Sequence, residues 1–430
     1  MGGKNVYSDL RDCIRTRHCN EMKGSMYAVD FTYQLYRIMI GIKNKKRTNE
    51  KKVLHDYLDM SLIDPDKTQT LDELIDYEDD VAHIIATCTF VETCAEKNIF
   101  MIPVFDGKAP DIKRKKLDER KKIQRHANEE CSKIEDKTSD DYIRQHKKTV
   151  RLRDNHFKET IELLKAMGLP TVQAPGEAES QCAAMALCLS DIDGVISEDS
   201  DILLFGGPKI IKNFNRKNNT FSEIKLFEIL KFLKLKANKI LKAYLMPEIV
   251  GDFKEEWFID SRILFGTDYN EPVSGINSNK LFELFVVNGF DVPKLVNQLQ
   301  QLKLLNCAYA ESYLEIWTRV KEYYLGANVI DPLTLDVSLK EPNYKLMVEC
   351  LHTRNNFKIS YVNKIYNELM QMYKLNYNMP YNSNWYNNFR SYQVKFHSNK
   401  TKKYYQPYYN CKNYYDQQDK VKRIIKYVNQ

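Results

Sequence analysis

Ile99-Phe100-Met101-Ile102-Pro103-Val104-Phe105-Asp106 is a short apolar run, rich in β-branched and aromatic residues, that stops on a carboxylate. Its length suits a strand rather than a helix, and its lack of polar alternation predicts a strand buried on both faces, as in a parallel sheet. The same arrangement occurs twice more. Met26-Tyr27-Ala28-Val29 closes on Asp30, and Gly194-Val195-Ile196-Ser197 runs into Glu198-Asp199-Ser200-Asp201. Helical patterns lie between these runs. The clearest spans Glu177 to Leu189, with Pro175 and Gly176 at its start and an Ala/Met/Leu/Cys face behind it. Strands alternating with helices predict an α/β fold, a mostly parallel central sheet flanked by helices. In such sheets ligands bind beyond the carboxyl ends of the strands, where these aspartates fall.

Working outward, residues 111–158 change character. Lys113-Arg114-Lys115-Lys116, Arg120-Lys121-Lys122, Arg125, Lys147-Lys148, Arg151 and Arg153 dominate, with few large apolar residues between them. The segment reads as helices projecting from the sheet rather than as core. From 223 to 375 the pattern is helical again, notably Phe227 to Leu245, Lys280 to Phe290 and Tyr361 to Leu375. The expected organisation is 1–110 and 159–272 as two parts of one core, 111–158 as a basic helical arch, and 273–375 as a C-terminal helical part. Residues 376–430 form a Tyr/Asn/Lys-rich tail, expected to be partly disordered.

Composition sets outer limits. The 430 residues are 43% hydrophobic and 29% charged, with a net charge of +7; mean hydropathy is −0.54 and the pI about 8.6. No stretch approaches the roughly 18 apolar residues that a membrane helix needs. Met1-Gly2-Gly3-Lys4-Asn5-Val6 has neither an apolar signal core nor a Ser or Thr where myristoylation wants one, so a soluble intracellular protein is expected. The ten cysteines show no C-x-x-C pair and no zinc spacing, which reads as reduced structural thiols. There is no internal repeat.

Carboxylates close elements in five places: Asp30, Asp106, Glu177 with Glu179, Asp199 with Asp201, and Asp268 in Phe265-Gly266-Thr267-Asp268-Tyr269. Each taken alone is explained as a helix cap or turn residue. Converging, they would repel one another unless cations lay between them. The Glu177/Glu179 pair would splay by about 200° on an ideal helix, but at a first turn both can reach past the helix end. Asp199 and Asp201, two apart on extended chain, would point to the same side. All-oxygen donors favour magnesium or manganese over zinc. Two such ions about 4 Å apart are the usual device for phosphodiester hydrolysis.

These residues also carry a resemblance. Val104-Phe105-Asp106-Gly107-Lys108-Ala109-Pro110, Ala174-Pro175-Gly176-Glu177-Ala178-Glu179-Ser180-Gln181-Cys182-Ala183-Ala184, Glu198-Asp199-Ser200-Asp201 and Gly266-Thr267-Asp268-Tyr269 resemble, in order and spacing, the signature blocks of the flap endonuclease and xeroderma-pigmentosum-G (Rad2-like) family of 5′ nucleases. The likeness runs over residues 1–375. It implies a PIN-like nuclease core with a helical arch and a C-terminal helical DNA-binding subdomain. It further implies two Mg²⁺ ions, with Mn²⁺ as a substitute, on Asp30, Asp106, Glu177, Glu179, Asp199, Asp201 and Asp268. Lys113 and Arg120 match the basic residues that the family places on its arch helix to polarise the scissile phosphate, and their spacing of seven places them on one helix face. Tyr36 matches a tyrosine that stacks a terminal base. Lys108, Gly275 and Lys280 fall at positions expected to meet DNA.

The chain departs from the family pattern in two places. In Ser274-Gly275-Ile276-Asn277-Ser278-Asn279-Lys280, Asn277 and Ser278 replace a glycine and a proline of the family's duplex-binding helix-two-turn-helix, which puts its potassium site in doubt. The interval from Asp30 to Asp106 is long, with a basic run at 43–47 and an acidic one at 72–80, and reads as an enlarged loop beside the DNA path. The tail carries no sliding-clamp motif. The implied partner is DNA with a 5′ flap, nick or free 5′ end, met by a monomer away from membranes in replication or repair. The Lys/Asn/Tyr bias points to a large DNA virus as source, and hence to the host nucleus or a cytoplasmic site of viral replication. A 5′–3′ exonuclease and a non-catalytic DNA-binding scaffold are the alternative readings. Glu rather than Asp at 179 leans towards the flap enzymes.

Overall fold

A computed structural model describes residues 8–43, 57–59, 61–63, 71–215, 218–305 and 307–378. Its centre is a seven-stranded sheet of β1 (Ile14–His18), β2 (Met26–Asp30), β3 (Phe100–Phe105), β4 (Val172–Gln173), β5 (Ile192–Ile196), β6 (Lys209–Asn215) and β7 (Thr220–Lys225). The strand order is β1-β7-β6-β5-β2-β3-β4. Strand β2 pairs in parallel with β3 on one side and β5 on the other, β3 with β4 and β5 with β6 likewise. Strands β6, β7 and β1 are antiparallel.

The two faces are read from the strands. On β2, Ala28 joins one core while Tyr27 and Val29 join the other; on β5 and β6, Val195 and Ile210 face the first core, and Ile196 and Ile211 the second. This alternation of apolar residues to both sides is what requires helices on both faces. Strand β3 is buried throughout. It tolerates Pro103 because β4 joins it only from Val104 onward, leaving the proline without a neighbour on that side.

Helices α1 (Phe31–Lys43), α2 (Leu71–Ala95), α3 (Arg114–Lys133), α4 (Asp140–His146), α5 (Asp154–Ala166) and α6 (Ala178–Cys188) alternate with the parallel strands. After β7 come α7 (Leu226–Ala243), α8 (Glu255–Phe265), α9 (Ser278–Val287), α10 (Val292–Gln301), α11 (Cys307–Leu325) and α12 (Ile359–Asn378). The acidic run at 72–80 is not loop but the first turns of the 25-residue α2. Acidic residues favour a helix N-terminus, and beyond them Val81, Ile84, Ile85 and Cys88 give the spacing that seats the helix on the core. Residues 44–47 lie outside the described chain, as do 379–430.

Helix α3 has Ala127 as its one buried residue. The rest of the basic segment returns to the body sooner than its charge suggests: Tyr142, Ile143, Val150 and Leu152 are buried, and α5 runs across position 158 into the core. Lysines and arginines there sit on the outer face of chain whose inner face is apolar.

A candidate metal and nucleic-acid site

Strand order changes direction beside β2: the chain steps from β2 outward to β3 and β4, then crosses back to β5 on the other side. The crevice at such a switch lies beyond the carboxyl ends of β2, β3 and β5. Asp30 ends β2, Asp106 follows β3 and Asp199 follows β5. Helix α6 points its N-terminus at the same place, and its partial positive charge favours anions there.

Hydrogen bonds hold several of the carboxylates in place. Asp30 is buried; one oxygen accepts from the Tyr33 amide at 3.0 Å and the other from the Ser197 hydroxyl at 3.2 Å. Asp106 accepts from the Ala178 amide at 2.8 Å, tying β3 to the first turn of α6, and its own amide donates to Thr32 Oγ1 at 3.1 Å. Glu177 is the N-cap of α6 rather than part of it, so the expected splay from Glu179 is replaced by a bend in the backbone between them. Asp199 and Asp201 are not on extended chain either. The Asp201 amide donates to Asp199 Oδ1 at 2.9 Å, an Asx turn that opens a 3₁₀ turn, because Asp closes such turns with its own side chain.

Gly107 makes the close approach of two loops possible. Its amide donates to Gly176 O at 2.6 Å, and a Cβ at this position would lie 2.0 Å from Ala174 O and 2.8 Å from Pro175 O. Backbone cannot yield as a side chain can. Gly107→Ala should therefore cost about 1–3 kcal/mol of stability and separate Asp106 from Glu177, read as a lower thermal midpoint by calorimetry. An unchanged midpoint would refute the tight packing of these loops.

Two cations from the arch enter the cluster. Lys113 is buried and pairs with Glu177 Oε1, and Arg120, half exposed, lies 2.7 Å from Asp268 Oδ2. Burial alone would lower the Lys113 pKa, but the charges of Glu179 and Glu177 outweigh it and raise the pKa above the ordinary lysine value. Glu177 Oε2 also accepts from the hydroxyls of Tyr269 and, at 2.7 Å, Tyr323; Asp201 Oδ2 accepts from Tyr324 at 2.8 Å.

The sequence-predicted carboxylates thus form one electrostatic cluster. Burial first, then Asp106 and Asp199, push Asp30 up to about 8. Burial and then Asp199 push Asp201 up to about 7, and Glu179 rises for the same leading reason. A carboxylate with a raised folded pKa binds more protons folded than unfolded, so its contribution to stability is lost as pH rises. The metal-free protein should therefore lose thermal stability between about pH 5 and 8, and Mg²⁺ should restore more at pH 8 than at pH 5. A midpoint independent of pH in that window would contradict the clustering.

The donor set fits divalent metal. All seven side chains offer oxygen, their mutual repulsion is uncompensated by the cations present, and Asp268 Oδ1 is buried with no hydrogen-bond partner among the described residues. The seven are more widely spaced than a closed ligand set: among the described residues, the group of three or more His, Cys, Asp or Glu residues with ligand atoms all within 4.8 Å of one another is Glu92, Glu96 and Glu368, elsewhere on α2 and α12, where Lys364 lies 2.5 Å from Glu92.

The remaining positions are not drawn into the cluster. Tyr36 is half-buried, its hydroxyl accepting from the Leu152 amide at 3.4 Å. Lys108 is exposed on the turn whose amide donates to Pro175 O at 3.2 Å. Gly275, with φ +80°, has open space around it ahead of α9, and Lys280 pairs with Glu283 at 2.6 Å on that helix. Sequence reasoning missed Ser197, Tyr323 and Tyr324. Tyr269 was quoted only as part of a block, without a role.

The fold and cluster define a carboxylate-edged α/β protein, and the xeroderma-pigmentosum-G I-region model matches residues 168–268, which hold five of the seven carboxylates. The flap endonuclease 1 of Methanopyrus kandleri is 30% identical over 269 residues, 61% of this chain and 71% of that protein; that of Methanococcus aeolicus is 30% identical over 258 residues, 59% and 68%. The chain belongs to the flap endonuclease 1 family. Its alignment with the Glycine max member, at 29% identity, spans 63% of this chain and 65% of that protein. In fold it is similar to flap endonuclease-1 from Methanococcus jannaschii (TM-score 0.52, 22% identity, 85% of this chain and 99% of that one) and to the catalytic core of Rad2 in complex with DNA substrate (0.51, 20%, 86% and 99%).

Proposed function

We propose that the chain is a structure-specific 5′ nuclease of flap endonuclease type, hydrolysing DNA phosphodiester bonds in replication or repair. The observation that carries this reading is the meeting of seven carboxylates from five chain segments with two arch cations at the carboxyl edge of the sheet. Asp30, Asp106, Glu177, Glu179, Asp199, Asp201 and Asp268 would hold two Mg²⁺ ions, with Mn²⁺ as substitute. When bound, the metal supplies an activated water and neutralises charge on the phosphate.

The protein's own groups do the rest. Lys113 and Arg120 already point their donors into the cluster; with a phosphodiester present, ammonium and guanidinium can exchange carboxylate for phosphate oxygen and stabilise charge as it develops. The α3 arch presents a basic surface to a strand ending in a free 5′ end. Gly275, in its open left-handed turn, allows backbone to approach a duplex phosphate, and Lys108 and Lys280 add charge nearby. Tyr36 would stack a terminal base only by leaving its Leu152 contact. A monomer acting in a nucleus, or at a viral replication site if the source is a large DNA virus, completes the proposal.

The test is incubation with end-labelled 5′-flap, nicked and blunt duplexes, with Mg²⁺ or with chelator. Mg²⁺-dependent release of the flap is the expected result. No cutting of any substrate leaves the scaffold reading, and a ladder of mononucleotides without flap product makes the enzyme an exonuclease.

A further inference from the structure

Tyr323 and Tyr324 end helix α11, in the helical part of the chain, yet both hydroxyls reach the carboxylate cluster. Tyr323 donates to Glu177 Oε2 at 2.7 Å and Tyr324 to Asp201 Oδ2 at 2.8 Å. Adjacent helical residues diverge by about 100°, which lets one turn address two carboxylates carried by different elements, the N-cap of α6 and the turn after β5. Both rings are fixed by packing: Phe205 packs against each, at centroid distances of 5.7 and 5.0 Å, and Tyr269 lies 5.0 and 5.4 Å from the same two rings. Tyr324 is 4% exposed. A hydroxyl that donates to one carboxylate oxygen sets the rotation of the group and leaves the other oxygen for a cation, the role that outer partners play around metal ligands.

We propose that Tyr323 and Tyr324 are positioning residues that orient Glu177 and Asp201 for divalent metal, coupling the metal site to the seating of α11; the inference rests on the metal-binding part of the function proposed above. A purely structural role would need only the rings. Glu177 Oε2 also accepts from Tyr269, so Tyr324 carries the larger share.

The test is Mn²⁺ binding by the full chain without DNA, read as free ion by electron paramagnetic resonance, for wild type, Tyr323→Phe, Tyr324→Phe and the double variant. The Phe variants keep the aromatic packing and should melt near wild type. Tyr324→Phe should weaken Mn²⁺ binding by about 10-fold, Tyr323→Phe by less, and the double variant by more than either. Phe205→Leu, which loosens the rings but spares both hydroxyls, should lower the melting temperature with little effect on Mn²⁺. Wild-type affinity in the double variant overturns the proposal. So does an equal loss in Phe205→Leu, or a wild type that binds no Mn²⁺. Tyrosine-dependent Mn²⁺ binding by a protein that cuts no DNA would uphold the inference while removing the nuclease reading.

Discussion

Asp199→Ala should slow cutting of a 5′-flap duplex by about 10³-fold or more at saturating Mg²⁺, while leaving duplex binding near the wild-type level. The rate loss follows from removing an oxygen donor proposed to hold metal, since metal contributes several kcal/mol of transition-state stabilisation and each 1.36 kcal/mol is tenfold. Binding should be spared because, in the function proposed, duplex affinity comes from phosphate contacts spread over the arch and the α9 loop. Asp199 is one of the charges that raise Asp30, Glu179 and Asp201, so its removal relieves repulsion in the metal-free cluster. The Asx turn to Asp201 is lost in alanine but can be kept in Asp199→Asn, which should be as inactive and better folded. Single-turnover cleavage and fluorescence anisotropy on the same preparations check both halves. Parallel loss of binding and cutting would assign Asp199 to folding instead.

Lys113→Ala should have the second largest effect, and the size of its stability loss should depend on metal. The Lys113 and Glu177 side chains are 10% and 5% exposed, so removing the ammonium leaves a buried carboxylate with two phenolic donors and no counter-charge. Breaking a buried pair in this way costs about 3–5 kcal/mol, and the metal-free variant should melt well below wild type. Mg²⁺ should recover most of that loss, because a bound cation meets the same carboxylate. Cutting should still fall by about 10²–10³-fold even with Mg²⁺ saturating, the range for deleting one preorganised donor to a developing charge. Thermal melts with and without Mg²⁺, paired with single-turnover rates, decide it. An equal fall in melting temperature in both conditions would mean that Lys113 only braces the arch.

Strands β2, β3 and β5 were legible because strands buried on two faces leave uninterrupted apolar runs, each closed by a carboxylate. The rest of the sheet was not. Strand β1, Ile-Arg-Thr-Arg-His, lies at the edge of the sheet, and β6 mixes Ile210 and Ile211 with Lys209, Lys212 and Asn213. Half-exposed strands of this kind have no core pattern to betray them. The seven carboxylates could be named from spacing and block order, but their local geometry could not. Glu177 caps α6 from outside, and Asp199 and Asp201 close a turn, since capping and Asx turns compete with the regular conformations that spacing assumes. Lys113 sits in a basic run that reads as solvated surface, and only the fold shows that the Glu177 carboxylate receives it. Tyr323 and Tyr324 look like part of an aromatic helix face, because what distinguishes them is the position of α11 relative to α6.

Every step of the proposed cutting depends on metal bound at the carboxyl edge of the sheet. Crystals of the protein with a 5′-flap duplex and Mn²⁺, examined by anomalous scattering, test it directly. Two manganese peaks among Asp30, Asp106, Glu177, Glu179, Asp199, Asp201 and Asp268, with Lys113 withdrawn from Glu177 towards phosphate, are the predicted result. Manganese absent from that cluster, with Lys113 still paired to Glu177 beside bound DNA, would contradict it.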